Sequence, residues 1–332
     1  MKLASMTAAL VLAACSAVFS QTSPAAGTQT VRVMTYNTEN WSEVFYARKL
    51  QKELKNHPDW PAEMKELITI SSKAADSENW ARARVILDDA AKPDILIMQE
   101  GCEQEDLNYV NTQYLKGYFD TVHVFPTNTE RDQNTAILCR PGFKVLEYRQ
   151  DYHNEPDTNK VNVVGTGKLF ARGPGFAHIQ APNGTTFWVG TNHAKSKSDN
   201  SVPVTKWRNA EAVRTHEILM DLRKSDPEVI FAGDMNDELG FQEFEQEAGG
   251  SAIDLILGPP SDGLVLATRA LSDGGAISYH GGFRGRHRSF IDHAFLSPEA
   301  AGKLKDVHVV TTVAAELASD HFPVVMTFEF SK

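Results

Sequence analysis

Asn37, Glu100, His193, Asp234, Asn236, Asp292, Asp320 and His321 are of the types that bind hard metal ions or move protons, and each stands at the end or entrance of an apolar, β-forming run. The clearest run is Val229-Ile230-Phe231-Ala232-Gly233-Asp234-Met235-Asn236, a buried-strand pattern that stops at a carboxylate and an amide. Strand ends of this kind are where α/β proteins present groups to ligands. Singly, each residue has a structural explanation: Asp and Asn close strands through turn chemistry, a Glu past a strand sits in solvent, and a lone His is more often packed than catalytic. The set as a whole has no such common explanation. Crowded carboxylates raise one another's pKa unless a cation or donors offset them. An imidazole beside a carboxylate, as in Ser319-Asp320-His321, is a pairing suited to proton transfer.

The elements that must position these residues follow from periodicity. Val31 to Tyr36 alternates as a strand and runs into Asn37; Asp94 to Met98 is a second strand ending at Gln99-Glu100; Thr185 to Thr191 ends at Asn192-His193; Phe290 to Leu296 carries Asp292; Pro323 to Phe330 follows His321. Thr135–Cys139 and Phe143–Tyr148, joined by Arg140-Pro141-Gly142, read as a hairpin, and Lys168–Gln180 pairs with Thr185–Thr191 across Ala181-Pro182-Asn183-Gly184. Trp41 to Ala75, broken by Pro58 and Pro61, predicts two short helices long enough to cover a site. Glu78 to Ala91 predicts a helix with Trp80, Ala83, Leu87 and Ala91 inward. Pro203 to Lys224 predicts another, with Trp207, Ala210, Val213 and Ile218 inward and Arg208, Arg214, Arg223 and Lys224 outward. The Gly-rich loop Tyr279 to Ser289 carries Arg284, Arg286 and Arg288, whose forked donors match phosphate oxygens.

With 332 residues, 42% hydrophobic and 23% charged, the composition is that of a globular chain with no repeat or low-complexity block. A net charge of -10 excludes a protein that coats nucleic acid by bulk electrostatics, though not one that grips a few phosphates. Residues 1–20 have the layout of a signal peptide, 21–30 of a polar linker, and 31–332 of a single folded domain. Leu12-Ala13-Ala14-Cys15 resembles a bacterial lipobox, whose Cys15 would be lipidated and would tether the protein to a membrane; Val18-Phe19-Ser20 suits ordinary signal cleavage. Either way the protein is expected to be exported, to the periplasm, the medium or a membrane surface. Cys102 and Cys139 are then either a disulfide or two small buried thiols.

The series Tyr36-Asn37, Gln99-Glu100, Thr191-Asn192-His193, Gly233-Asp234-Met235-Asn236, Ile291-Asp292-His293 and Ser319-Asp320-His321 resembles, in order and over nearly the whole of residues 31–330, the motifs of the endonuclease/exonuclease/phosphatase superfamily. The resemblance implies an α/β fold, a four-layer sandwich of two mixed β-sheets packed face to face and flanked by helices. It implies a divalent metal, Mg²⁺ or Mn²⁺, held through Glu100 with Asn37 and Asp320 nearby; hard oxygen donors suit such an ion, and no Cys/His cluster suggests zinc. It implies that Asp234 orients or deprotonates water, that Asn236 holds phosphate or nucleophile, that His321 oriented by Asp292 acts as acid/base or stabilises charge, and that His193 donates to a phosphoryl oxygen. Arg172 matches a phosphate-contacting position of the deoxyribonuclease branch, but His193 lacks the acidic partner found there. The expected activity is phosphodiester hydrolysis, foremost in nucleic acid, with no protein partner implied. Phospholipid or sphingomyelin phosphodiesterase, inositol or sugar phosphate phosphatase, and a silent binding module are the alternatives.

Overall fold

The computed structural model describes residues 27–41, 52–129, 133–197, 201–240, 243–281 and 287–332. Strands β1 (Thr28–Asn37), β2 (Ile95–Gly101), β3 (Thr121–Phe125), β4 (Asn134–Cys139), β5 (Lys144–Arg149), β6 (Gly175–Gln180), β7 (Thr186–His193), β8 (Val229–Asp234), β9 (Val265–Leu266), β10 (Asp292–Leu296), β11 (Leu304–Val309) and β12 (Val324–Ser331) form two sheets of six. One has the order β11-β12-β1-β2-β4-β3 and the other β5-β6-β7-β8-β10-β9. Each is mixed: β1 and β2 are parallel, as are β7 and β8, and the remaining pairs are antiparallel.

Because strand side chains alternate between faces, each central strand feeds two cores. Val31 and Val33, Ile95 and Ile97 meet Val189, Ile230, Ala232 and Ala294 between the sheets. Met34, Tyr36, Leu96 and Met98 face outward against α1 (Ala62–Leu87) and α2 (Gln104–Gln113). Phe176, Trp188 and Phe231 face outward against α3 (Val202–Leu222) and α4 (Ala252–Leu257). The four-layer α/β sandwich expected from the resemblance is the fold.

Several local expectations are corrected. β1 starts at Thr28, inside the segment read as linker, because Thr28 pairs with Ser331 of β12. Thr135–Cys139 and Phe143–Tyr148 form no hairpin: β4 is sandwiched between β2 and β3, whereas β5 pairs with β6 in the other sheet, so Arg140-Pro141-Gly142 carries the chain across the layers. The strand read over Lys168–Gln180 is confined to Gly175–Gln180. The second of two short helices and the helix read from Glu78 are one 26-residue element, α1, which starts after Pro61. Its buried residues are Ser72, Asn79, Arg82, Ala83, Val85 and Ile86, and Trp80 is 40% exposed. On α3, Arg208 is buried and Val213 is 44% exposed, the reverse of the expected sides. Cys102 and Cys139 are not bridged to each other and lie buried in different layers, one among the outer core of the first sheet and the other between the sheets. The leader, Cys15 and most of the linker lie outside the described residues.

Candidate active site

The alternation that builds the inter-sheet core also builds the site. Following the inward-facing residues along each strand, Val31-Val33 is continued by Thr35 and Asn37, Ile95-Ile97 by Gln99, Val189 by Thr191 and His193, Ile230-Ala232 by Asp234, and Leu296-Ala294 by Asp292. The parallel strands end, and antiparallel β10 begins, at the same edge of the sandwich. Apolar core therefore gives way there to a polar layer contributed by five strands. Register sets the neighbours: His193 stands opposite Asp234, Asp234 opposite Asp292, and Asn37 opposite Gln99. Thr35 donates to Gln99 at 3.3 Å and Gln99 donates to Thr191 at 3.4 Å, bridging the sheets and closing the core beneath the site.

Glu100 breaks the alternation. Following inward-facing Gln99, it belongs on the outer face, but its φ of 53° and a register shift between Met98 and Gly101 re-aim it. Its Oε1 lies 3.7 Å from His193 Nε2, and its Oε2 accepts the Asn40 N–H at 3.2 Å.

Asp234 is the centre. Its Oδ1 accepts the Asn236 N–H at 2.8 Å, and its Oδ2 accepts from the Asn37 amide at 3.0 Å, with His193 Nε2 at 3.4 Å and His321 Nε2 at 3.8 Å. Burial pushes this carboxyl up to about 7; nearby His321 lowers it and Asp292 raises it. His321 Nδ1 is 2.8 Å from Asp292 Oδ2. Burial opposes the imidazolium, but the charge and hydrogen bond of Asp292, with Asp234 and Asp320, outweigh it and raise His321 to about 10. His193 moves the other way, well below the usual histidine value, through burial and then the charges of Arg172 and His321. The two imidazoles therefore have opposite roles near neutral pH: His321 is a cation and His193 is neutral. Among the described residues His193 Nδ1 is buried with no hydrogen-bond partner. A bare lone pair costs less there than an orphaned N–H, which favours the tautomer with its proton on Nε2, facing the site.

A second patch lies beside β1. Ser319 Oγ donates to the Asn37 carbonyl at 2.8 Å and accepts the His321 N–H, fixing the Ser-Asp-His turn against β1. The Asp320 N–H donates to Glu39 Oε2 at 2.8 Å. Glu39 is raised to about 7 by burial and by Asp320, with Arg82 lowering it. Glu39, Asp320 and Glu100 thus bring negative charge together. Among the described residues no group of three or more acidic, His or Cys side chains is placed to hold an ion unaided. A Mg²⁺-type ion, which keeps several waters and takes one or two carboxylates, fits this donor set. Asn37 is held by both patches: its Oδ1 accepts the Glu39 N–H and its amide nitrogen donates to Asp234.

On the other side, Arg172 donates to Gln133 Oε1 at 3.2 Å and to the Ala194 carbonyl at 2.8 Å, a carbonyl that also accepts the Asn236 amide at 3.1 Å. Asn37, Glu100, His193, Asp234, Asn236, Asp292, Asp320, His321 and Arg172 are all brought to one edge. Arg284 and Arg286 lie outside the described residues, and Arg288 is exposed. The loop that carries them leaves from Tyr279, which pairs with both Ser289 and His321 and places its ring 4.9 Å from the imidazole. Glu39, Gln133 and Tyr279 were not among the expected site residues. Glu39 was within the quoted Asn37-Thr38-Glu39-Asn40 stretch, while nothing local marked Gln133.

The model of the Endonuclease/Exonuclease/phosphatase family matches residues 34–321, a span that contains every residue of the central cluster. The chain belongs to the endonuclease/exonuclease/phosphatase family. Members of this family hydrolyse phosphoester bonds, and this chain is a hydrolase of that class. No curated protein sequence matches it. Among solved structures it is similar to truncated TDP2 of Caenorhabditis elegans, at 16% identity over 90% of this chain and 97% of that one, with a TM-score of 0.54. It is also similar to an endonuclease/exonuclease/phosphatase family protein from Bacteroides thetaiotaomicron, at 17% identity over 92% and 99% of the two chains and a TM-score of 0.56. A mannosyl-6-phosphatase of Bacteroides thetaiotaomicron has 19% identity over 89% and 98%, with a TM-score of 0.54. These likenesses establish the shared fold.

Proposed function

We propose that this family member is an exported phosphodiesterase of nucleic acid that uses Mg²⁺ or Mn²⁺, with Glu100 as the chief ligand and Asp320, Asn37 and Glu39 placed to bind directly or through water. The observation that supports it most is the convergence of Asn37, His193 and His321 on one oxygen of Asp234. When bound, the ion supplies positive charge to a phosphoryl or leaving-group oxygen. The protein's own residues supply the rest. Asp234, anchored by Asn37 and the Asn236 N–H, holds the attacking water and accepts its proton; a carboxyl raised to about 7 is matched to that task near neutral pH. His193 donates its Nε2–H to a non-bridging oxygen. His321, held cationic by Asp292, offsets charge developing at the phosphorus or passes a proton to the leaving group. Arg172 supplies a guanidinium beside His193, and by sequence Arg284, Arg286 and Arg288 are further candidates for phosphate contacts. A local set of arginines reconciles a phosphate-rich substrate with a net charge of -10.

The test is one panel of plasmid DNA, RNA, sphingomyelin, inositol phosphates and mannose 6-phosphate, each with Mg²⁺, Mn²⁺ and EDTA. Cleavage of nucleic acid that EDTA abolishes and either ion restores is expected. Cleavage of the lipid or of a phosphomonoester alone would replace the substrate assignment, and EDTA-resistant turnover would remove the metal. For export, a Cys15→Ser chain that loses palmitate label relative to wild type marks a lipoprotein, and a secreted chain that never carried label marks ordinary signal cleavage.

A further inference from the structure

α3 lies outside the second sheet and contributes no side chain to the central cluster, yet two of its residues are buried toward the loops that do. Arg208 and Glu211, three apart and so on one face of the helix, are 1% and 2% exposed. Glu211 Oε1 accepts the Ala171 N–H at 2.7 Å and Oε2 accepts the Lys195 N–H at 2.8 Å. Arg208 donates to the carbonyl of the same Lys195 at 3.4 Å. Ala171 immediately precedes Arg172, and Lys195 lies two residues past His193. The two loops are joined at the site as well: the His193 N–H donates to the Arg172 carbonyl at 3.2 Å, and the Ala194 carbonyl accepts from both Arg172 and Asn236.

We propose that Glu211 is a positioning residue of the reaction, a two-armed backbone clamp that fixes the loop of Arg172 and the loop of His193 at one spacing and, through the Ala194 carbonyl, seats Asn236. This rests on the hydrolase reading above. The geometry is specific to a carboxylate. Two N–H donors approach from different chain segments, and a group with two acceptor oxygens satisfies both; a glutamine at the same place would turn an NH₂ toward one of them. The charge is also costly. Burial drives the Glu211 carboxyl up to about 7 although the two N–H groups, Arg172 and Arg208 all pull it down. An apolar side chain in its place would leave both N–H groups without an acceptor. What the carboxylate adds is a fixed distance between two loops, and displacements of about 1 Å in phosphate-contacting groups cost about 100-fold in rate.

The test is a double-mutant cycle in the full-length protein, with bis(p-nitrophenyl) phosphate and saturating Mg²⁺. Glu211→Gln is expected to lower kcat by about 10-fold or more with KM changed less than about threefold, and to speed amide exchange at Ala171 and Lys195. Because one of its arms acts through Arg172, the same change in an Arg172→Ala background is expected to cost less than it does in the wild type, the remainder passing through the His193 loop and Asn236. If Glu211→Gln does not fold, Glu211→Asp keeps the charge but is one methylene too short to reach both donors, and the same losses are expected of it. Wild-type kcat in a folded Glu211 variant overturns the clamp, as do multiplicative losses in the cycle, which would mean that Glu211 acts independently of Arg172. A wild-type protein silent on this diester and on the panel above overturns the functional reading instead.

Discussion

At the scale of single residues, the site works by separating the charge states of chemically similar groups. Two buried histidines within reach of the same carboxylate differ because Asp292 sits behind His321 and nothing described sits behind His193 Nδ1. In metal-free protein, an NMR titration is expected to show His321 cationic across pH 6 to 9 and His193 neutral over the same range; equal titration of both near pH 6.5 would contradict the arrangement. Since the folded His321 value is raised, to about 10, its contribution to stability is complete below about 6.5 and is lost as pH rises through about 10. Denaturant melts of metal-free protein between pH 7 and 10 should therefore show a loss of stability that is shallower in Asp292→Asn. Asp234→Asn removes the proton acceptor while leaving the shape, and a fall in kcat on the order of 10²–10⁴-fold is expected from a lost general base. A folded variant within tenfold of wild type would assign the base elsewhere.

At the scale of elements, strand alternation and close sheet contact decide which side chains reach the edge. Gly233 lies between the inward-facing Ala232 and Asp234 and passes so near β7 that an added Cβ would lie 2.0 Å from the Asn192 carbonyl oxygen. Gly233→Ala must therefore push apart β7 and β8, the strands that present His193 and Asp234. A loss of roughly 3 kcal/mol or more is expected, read by urea denaturation, together with loss of activity; a stable, active variant would mean that the pairing is slack. The same contact logic explains the hairpin that does not form. Two β-forming runs around Pro141-Gly142 carry a local hairpin pattern, but all six residues of β4 are buried and Ala136 to Cys139 are paired with both β2 and β3 within one sheet, which leaves β5 to the other.

For the whole molecule, the sandwich supplies a dry floor under a wet edge, and the cysteines report on that floor. Cys102 and Cys139 are buried, and burial pushes the Cys139 thiol up to about 12. Neither is expected to react with a thiol reagent in the native protein, and both are expected to react once the chain is denatured without reductant; failure of both to react after denaturation would mean that they are bridged. Glu211 gives a further whole-molecule signal. Its folded value is raised from about 4.5 to about 7, so its contribution to stability is present below about 4.5 and lost as pH rises through about 7. Glu211→Gln should remove a slope of at most about 1.4 kcal/mol per pH unit from the pH 5 to 7 stability profile.

The order of the strand ends and the candidates Asn37, Glu100, His193, Asp234, Asn236, Asp292, Asp320 and His321 were legible in the sequence, and the layered α/β class through the family resemblance those motifs carry. A period of two in apolar character, stopped by a polar residue, is a local property of the chain. What the tertiary structure alone decided is non-local. It set which strands share a sheet, and so put Asp234 between His193 and Asp292. It turned Glu100 from the outer face into the site through one left-handed residue. It made a cation of His321 chiefly through Asp292, 29 residues away in the chain, and kept His193 neutral chiefly through burial. It also gave Arg208 and Glu211, which read as ordinary helix residues, two loops to hold. Helical periodicity places a side chain on a face, and only packing determines whether that face meets water or a pair of backbone N–H groups.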